Sequence, residues 1–129
     1  MKSTVVLDAN VILRYLLADH PAQFLKAKAT LDAVQDGSTL AFVGEGVLVE
    51  CVYVLLKVYD VTRAEVADKL LGLMSYRGIK AHAPQVLMDA LRLFREHNID
   101  IVDAIIVATA RRNDWKAESF DSDVRKLLK

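Results

Sequence analysis

The stretch Val5-Val6-Leu7-Asp8-Ala9-Asn10-Val11-Ile12-Leu13 sets a single carboxylate between two apolar runs. An uncompensated charge in an apolar interior costs several kcal/mol or takes up a proton, so Asp8 either caps a helix or binds something. The residues before it read as a short, fully buried strand, Thr4 to Leu7. Those after it read as a helix, Asn10 to Ala18, in which Val11, Leu13, Leu16 and Leu17 recur near helical spacing.

Strand-like and helix-like segments alternate along the rest of the chain. Pro21 suits the first turn of a second helix, for which Gly37 is the stop, and residues 39–44 read as a strand. From Gly46 to Tyr59 a helix is apolar on nearly every face, which marks it as deeply packed. Thr62 with Glu65 forms a capping box for a helix to Tyr76, with Arg63 and Asp68 on its solvated side, and Gly78 ends it. A short strand at Ile79 to Ala81, a helix opened by Pro84 and running to Asn98, and a helix from Ile101 to Arg112 follow. A last strand near Ala117 to Phe120 and a short helix complete the pattern. This alternation predicts an α/β sandwich around a parallel sheet, with sites at the carboxyl ends of the strands.

With 129 residues, 53% of them hydrophobic, the chain can bury a real core, and the lack of linkers or repeats predicts one domain over residues 1–129. Seventeen basic and seventeen acidic residues cancel, so no global basic field announces nucleic acid. A carboxylate cluster neutralised by a cation would nevertheless leave the remaining surface positive. Cys51 is the single cysteine, which rules out an intrachain disulfide and reads as a small core residue. The opening residues lack a signal-peptide pattern and no segment reaches the roughly 20 apolar residues of a membrane span, so the expectation is a soluble, cytoplasmic protein.

Four acids share one oddity: Asp8, Glu50, Asp103 and Asp121 each stand in or beside an apolar run. Asp8 and Asp121 fall at or just past strand ends, while Glu50 and Asp103 project from apolar helices, and one cleft could receive all four. Crowded carboxylates raise each other's pKa unless a cation screens them, and hard oxygen donors suit Mg²⁺ or Mn²⁺. One or two such ions can activate water and stabilise the leaving oxygen in phosphodiester hydrolysis. Each acid also has an ordinary reading. Asp8, Asp100, Asp121 and Asp123 suit helix caps and turns, Asp103 suits a first helical turn, and Glu50 could pair with a cation from another helix.

The segments LDANVILRYLL, VLVECVYVLLKVYD, DIVDAIIVATA and SFDSDVRKL occur in the order and spacing of PIN-domain proteins. The chain resembles in particular the VapC-like ribonuclease toxins of type II toxin–antitoxin pairs. The resemblance implies a three-layer α/β/α fold with a parallel central sheet and Mg²⁺- or Mn²⁺-dependent endoribonuclease activity. It places the family's acids on Asp8, Glu50, Asp103 and Asp121 as catalytic metal ligands. Asn10 falls where an amide fixes the acidic loop, and Asp100, Asp123, Thr109 and Ser119 are supporting or metal-binding candidates. Two positions depart from the family's usual residues: Ala9 stands where threonine is common, and Ser119 replaces a threonine while keeping its hydroxyl.

Arg14, Arg111 and Arg112 are candidates for RNA phosphate contacts, although the last two also suit the end of a helix. Tyr15 and Phe24 could stack on bases or form an apolar helix face, and His20, His82 and His97 lack metal-ligand spacing. Val54, Leu55, Leu70, Leu71, Leu73 and Met74 exceed what a small sheet needs, so some are candidates to face a partner. The resemblance implies a homodimer and an antitoxin protein as partners besides the RNA substrate. A catalytically silent PIN-like RNA-binding or assembly module and a solitary RNA-processing nuclease are the competing readings. A phospho-acceptor receiver and an Asp-x-Asp phosphatase both lack their second early acid here, since Asn10 occupies that place.

Overall fold

The computed structural model describes residues 3–128, and the elements follow the predicted alternation. β1 (Thr4–Val6), β2 (Leu40–Phe42) and β3 (Ile79–Lys80) form a parallel sheet in the order β1-β2-β3. Thr4 pairs with Leu40 and Val6 with Phe42, while Ala41 pairs with Ile79. Helices α1 (Ala9–Leu17) and α2 (Pro21–Asp36) connect β1 to β2, and α3 (Glu45–Tyr53) and α4 (Arg63–Met74) connect β2 to β3. Then come α5 (Pro84–Glu96), α6 (Ile101–Asn113) and α7 (Ser122–Leu127). This mixed architecture, with an open parallel sheet among helices, is that of a three-layer α/β/α fold. Among the described residues no helix is long and apolar enough to cross a membrane.

Local chemistry accounts for most boundaries. Asp8, Thr62, Asp100 and Asp121 each accept a hydrogen bond from a backbone N–H in the first turn of the helix that follows. Gly37 closes α2 at φ 87°, a left-handed conformation that a Cβ disfavours. A continuous apolar cluster runs from Leu7 and Ile12 through Leu48, Leu55, Leu70 and Leu91 to Val107 and Val124.

Five expectations need correction. β1 is not fully buried: Val5 and Leu7 turn inward, but β1 is an edge strand and Val6 on its opposite face is 77% exposed. Residues 117–120 form no strand; their exposure alternates, yet their backbone joins no ladder and Phe120 is fully exposed. The helix expected to Tyr59 is α-helical only to Tyr53 and continues as a π-helical turn, Val54–Val58, in which Tyr59 N–H donates to the Val54 carbonyl at 3.2 Å. Arg63 is not a solvated residue. It lies over the Phe94 ring at 4.0 Å and donates to the carbonyls of Phe94, His97 and Ile99 at 2.8 to 3.1 Å. Lastly, of the apolar residues considered for a partner, Leu55, Leu70, Leu73 and Met74 belong to the core and Val54 and Leu71 are partly buried against it, whereas Tyr53, Val58 and Tyr59 are the exposed apolar side chains of this region.

Two glycines should respond oppositely to the same change. A Cβ on Gly78 would lie 2.1 Å from the Thr39 carbonyl oxygen, because the chain entering β3 passes against the end of α2. A Cβ on Gly72, an exposed position of α4, meets nothing within 4 Å. Chemical denaturation should find Gly78→Ala destabilised by about 2–3 kcal/mol. Gly72→Ala should gain about 0.5–1 kcal/mol.

Candidate metal centre

The carboxyl edge of the sheet delivers the first acid. Leu7 N–H donates to the Phe42 carbonyl at 3.0 Å, which holds Asp8 at the end of the β1–β2 ladder and at the start of α1. Asp8 Oδ1 accepts from Val11 N–H at 3.0 Å, and its side chain has no other protein partner among the described residues. One oxygen thus caps the helix while the other stays available. Glu50 projects from α3 into solvent and takes part in no ion pair, so the expected alternative of a cationic partner from another helix is absent among the described residues.

Buried Cys51 reports that these two acids share a neighbourhood. Its Sγ lies 3.9 Å from the Ala9 carbonyl, which ties α3 to α1. Burial pushes the thiol up to about 12, and the charges of Glu50 and Asp8 push in the same direction. A thiol so disfavoured as thiolate is a packing group and not a nucleophile.

The second group gathers at the N-terminal turn of α6. Asp103 is half-buried and accepts no protein hydrogen bond among the described residues. Burial raises its pKa most, and the charges of Asp121, Asp100 and Asp123 add to the rise. Asp100 caps α6 by accepting from Val102 N–H and also accepts from the Tyr53 hydroxyl at 2.6 Å, which raises the Tyr53 phenol. Tyr53 lies one turn beyond Glu50 on α3, so that helix touches both acidic groups. Asp121 Oδ1 caps α7, accepting from Asp123 N–H at 2.8 Å, and the Ser119 hydroxyl accepts from Asp121 N–H at 3.0 Å. The hydroxyl kept at position 119 therefore braces the loop that presents Asp121.

The acids form two neighbouring groups. Among the described residues no three His, Cys, Asp or Glu side chains are gathered into a cation-holding cluster. Their chemistry nonetheless fits a hard divalent ion. They offer carboxylate oxygens only, they repel one another at Asp103, and none is paired with lysine or arginine among the described residues. Asp19, Asp32, Asp68 and Asp89, by contrast, each have such a partner. Mg²⁺ retains several waters, which suits carboxylates standing apart.

Other candidates have different surroundings. The Thr109 hydroxyl donates back to the Ile105 carbonyl at 2.6 Å, within its own helix. Arg111 donates to the Leu127 carbonyl and so fastens α6 to α7, while Arg112 pairs with Asp89 at 2.8 Å. Tyr15 stacks on Phe24 and shares a 2.7 Å hydrogen bond with Tyr76, so both rings serve packing. His20, His82 and His97 are exposed and distributed over separate loops. Asn10 and Arg14 line a cleft beside Asp8. Tyr53 was not among the residues singled out from the sequence, because an aromatic in an apolar helix gives no sign that its hydroxyl reaches an acid 47 positions away.

The raised Asp103 pKa has a thermodynamic consequence. Its folded value exceeds the unfolded one, so stability is lost as pH rises from the ordinary carboxylate range through the folded pKa. In metal-free protein, thermal melting at neutral pH should place Asp103→Asn a few degrees above the parent. The difference should vanish in acid, where both side chains are neutral.

A model of the PIN domain, a nuclease-type fold whose members generally use divalent metal ions, matches residues 5–128. Neither curated proteins nor solved structures give a match. Carrying that match over nearly its whole length, the chain belongs to the PIN domain family.

Proposed function

We propose that this protein is a metal-dependent endoribonuclease that hydrolyses RNA phosphodiester bonds, acting as the toxin of a VapBC-type pair. The observation that carries the catalytic reading is Asp103: a half-buried carboxylate pushed up by burial and by three acidic neighbours, with no cationic side chain to relieve it. Carboxylates that crowd one another without a cationic side chain favour a bound cation.

Asp8, Glu50, Asp103 and Asp121 would hold Mg²⁺ or Mn²⁺. Such an ion supplies Lewis acidity toward a phosphate oxygen and makes water acidic enough to attack near neutral pH. The chain's own contribution is position. Val11 N–H fixes one oxygen of Asp8, the first turn of α7 fixes Asp121, and Tyr53 holds Asp100 beside Asp103. The toxin assignment rests on the four motifs and their order. The exposed apolar side chains Leu25, Tyr53, Val58 and Tyr59 suit a protein partner, either an antitoxin segment or a second copy.

EDTA-stripped protein should cleave single-stranded or structured RNA only after Mg²⁺ or Mn²⁺ is restored. Asp8→Asn and Asp103→Asn should each lose more than the roughly 10–100-fold that removal of an outer-shell partner costs. Asn is itself a good N-cap, so Asp8→Asn should keep its helix. No cleavage, with no metal binding by calorimetry, would favour a silent RNA-binding module.

A further inference from the structure

The first turns of α1 and the middle of α2 enclose a cleft of about 520 Å³ whose lining includes Asp8, Asn10, Arg14, Gln23, Lys26 and Thr30. Asn10 and Arg14 are four residues apart, and Gln23, Lys26 and Thr30 follow spacings of three and four, so each helix turns one stripe toward the other. Val11 and Ala27 complete the lining, whose other members are polar. Among the described residues the side chains of Asn10, Gln23, Lys26 and Thr30 bond to no other protein group.

Arg14 adds a buried donor. Its side chain is only 13% exposed, and its terminal nitrogens are held at 3.1 Å from Asp19 and 3.0 Å from the Tyr59 hydroxyl. Its Nε is buried and has no partner among the described residues. A buried guanidinium N–H left unpaired is costly, and an acceptor that reached it would recover that cost. Two positive residues and three neutral ones thus bring donor side chains to one cleft, and Asp8 is the one acid among the six. That composition suits a tetrahedral oxyanion.

We propose that this cleft is a phosphate subsite that holds a backbone phosphate of the RNA strand next to the one positioned at Asp8. The proposal rests on the ribonuclease reading for its ligand. Asp8 opposes a phosphate as long as it carries its full charge, so strand binding and neutralisation of Asp8 reinforce each other. Arg14 is clamped by Asp19 and Tyr59, which fixes the direction of its buried Nε, whereas Lys26 acts as a mobile point charge.

The test separates strand binding from cleavage. Binding of a short fluorescent single-stranded RNA is measured in EDTA by anisotropy at several salt concentrations, in the Asp8→Asn background. Removing the one acid of the cleft should make Asp8→Asn bind more tightly than the parent. Adding Lys26→Ala should weaken binding about 3- to 10-fold and reduce the slope of log K against log salt by about 0.7, as loss of one phosphate contact on a single strand does. Gln23→Ala should weaken binding a few-fold with the slope intact. Lys28→Ala, whose lysine pairs with Asp32, should change neither. An unchanged slope in the Lys26→Ala protein overturns the subsite, even where the parent shows metal-dependent cleavage. Inorganic phosphate that shifts the Arg14 Nε–H resonance, while RNA affinity ignores Lys26 and Gln23, overturns the assignment to a strand. Absence of cleavage by the parent, with the Lys26 and Gln23 effects present, rejects the ribonuclease reading and leaves the phosphate subsite standing.

Discussion

The guanidinium of Arg63 holds together the part of the fold on which the acidic site is mounted. From the first turn of α4 it reaches the carbonyls of Phe94, His97 and Ile99 and the side-chain oxygen of Asn98. Those groups lie where α5 ends and the chain turns into α6, and a helix end leaves carbonyls without intrahelical partners. Burial lowers the pKa of Arg63, yet arginine stays charged, so the turn is fixed by charge-assisted bonds. Asp100 and Asp103 follow within a few residues. Their positions depend on a cation that touches neither of them.

From that turn, a short series of contacts relates the remaining acids. Tyr53 bonds Asp100 and so joins α3 to α6, and Cys51 packs on the Ala9 carbonyl and so joins α3 to α1. Glu50 directly precedes Cys51 and lies one turn before Tyr53 on the same helix. Of the two roles posed by the sequence, cap or ligand, the cap is present at Asp8 and leaves room for the other. A carboxylate has two oxygens, and a single backbone N–H engages one of them.

The order of elements was legible because caps and breakers act locally: Asp8, Gly37, Thr62 and Asp100 each mark a boundary through bonds within a few residues. The four candidate acids stood out for a similar reason, since a charge in an apolar run is conspicuous whatever the fold. What escaped notice depends on tertiary partners. An alternating pattern at 117–120 cannot reveal that no neighbour pairs with it, and Val5-Val6-Leu7 cannot reveal that β1 lies at an edge. Arg63 looked like any solvated helix residue because its acceptors are more than thirty positions away. The polar stripe of α2 went unremarked because Gln, Lys and Thr at helical spacing resemble a wet surface.

The π-helical turn at Val54–Val58 bears on more than the end of α3. Such a turn takes in one residue more per hydrogen-bonded ring than an α-helix, which rotates everything downstream by roughly 100° relative to the helix before it. Tyr59 is the residue that closes this turn, and its hydroxyl meets Arg14 and Asp19 across 40 or more positions. The aim of a guanidinium on α1 is thus set by the length of a different helix. A family member lacking that one residue could keep every side chain named around the cleft and still present a differently oriented arginine. Binding at the proposed subsite would therefore drift by insertion and deletion in a segment that does not line the cleft.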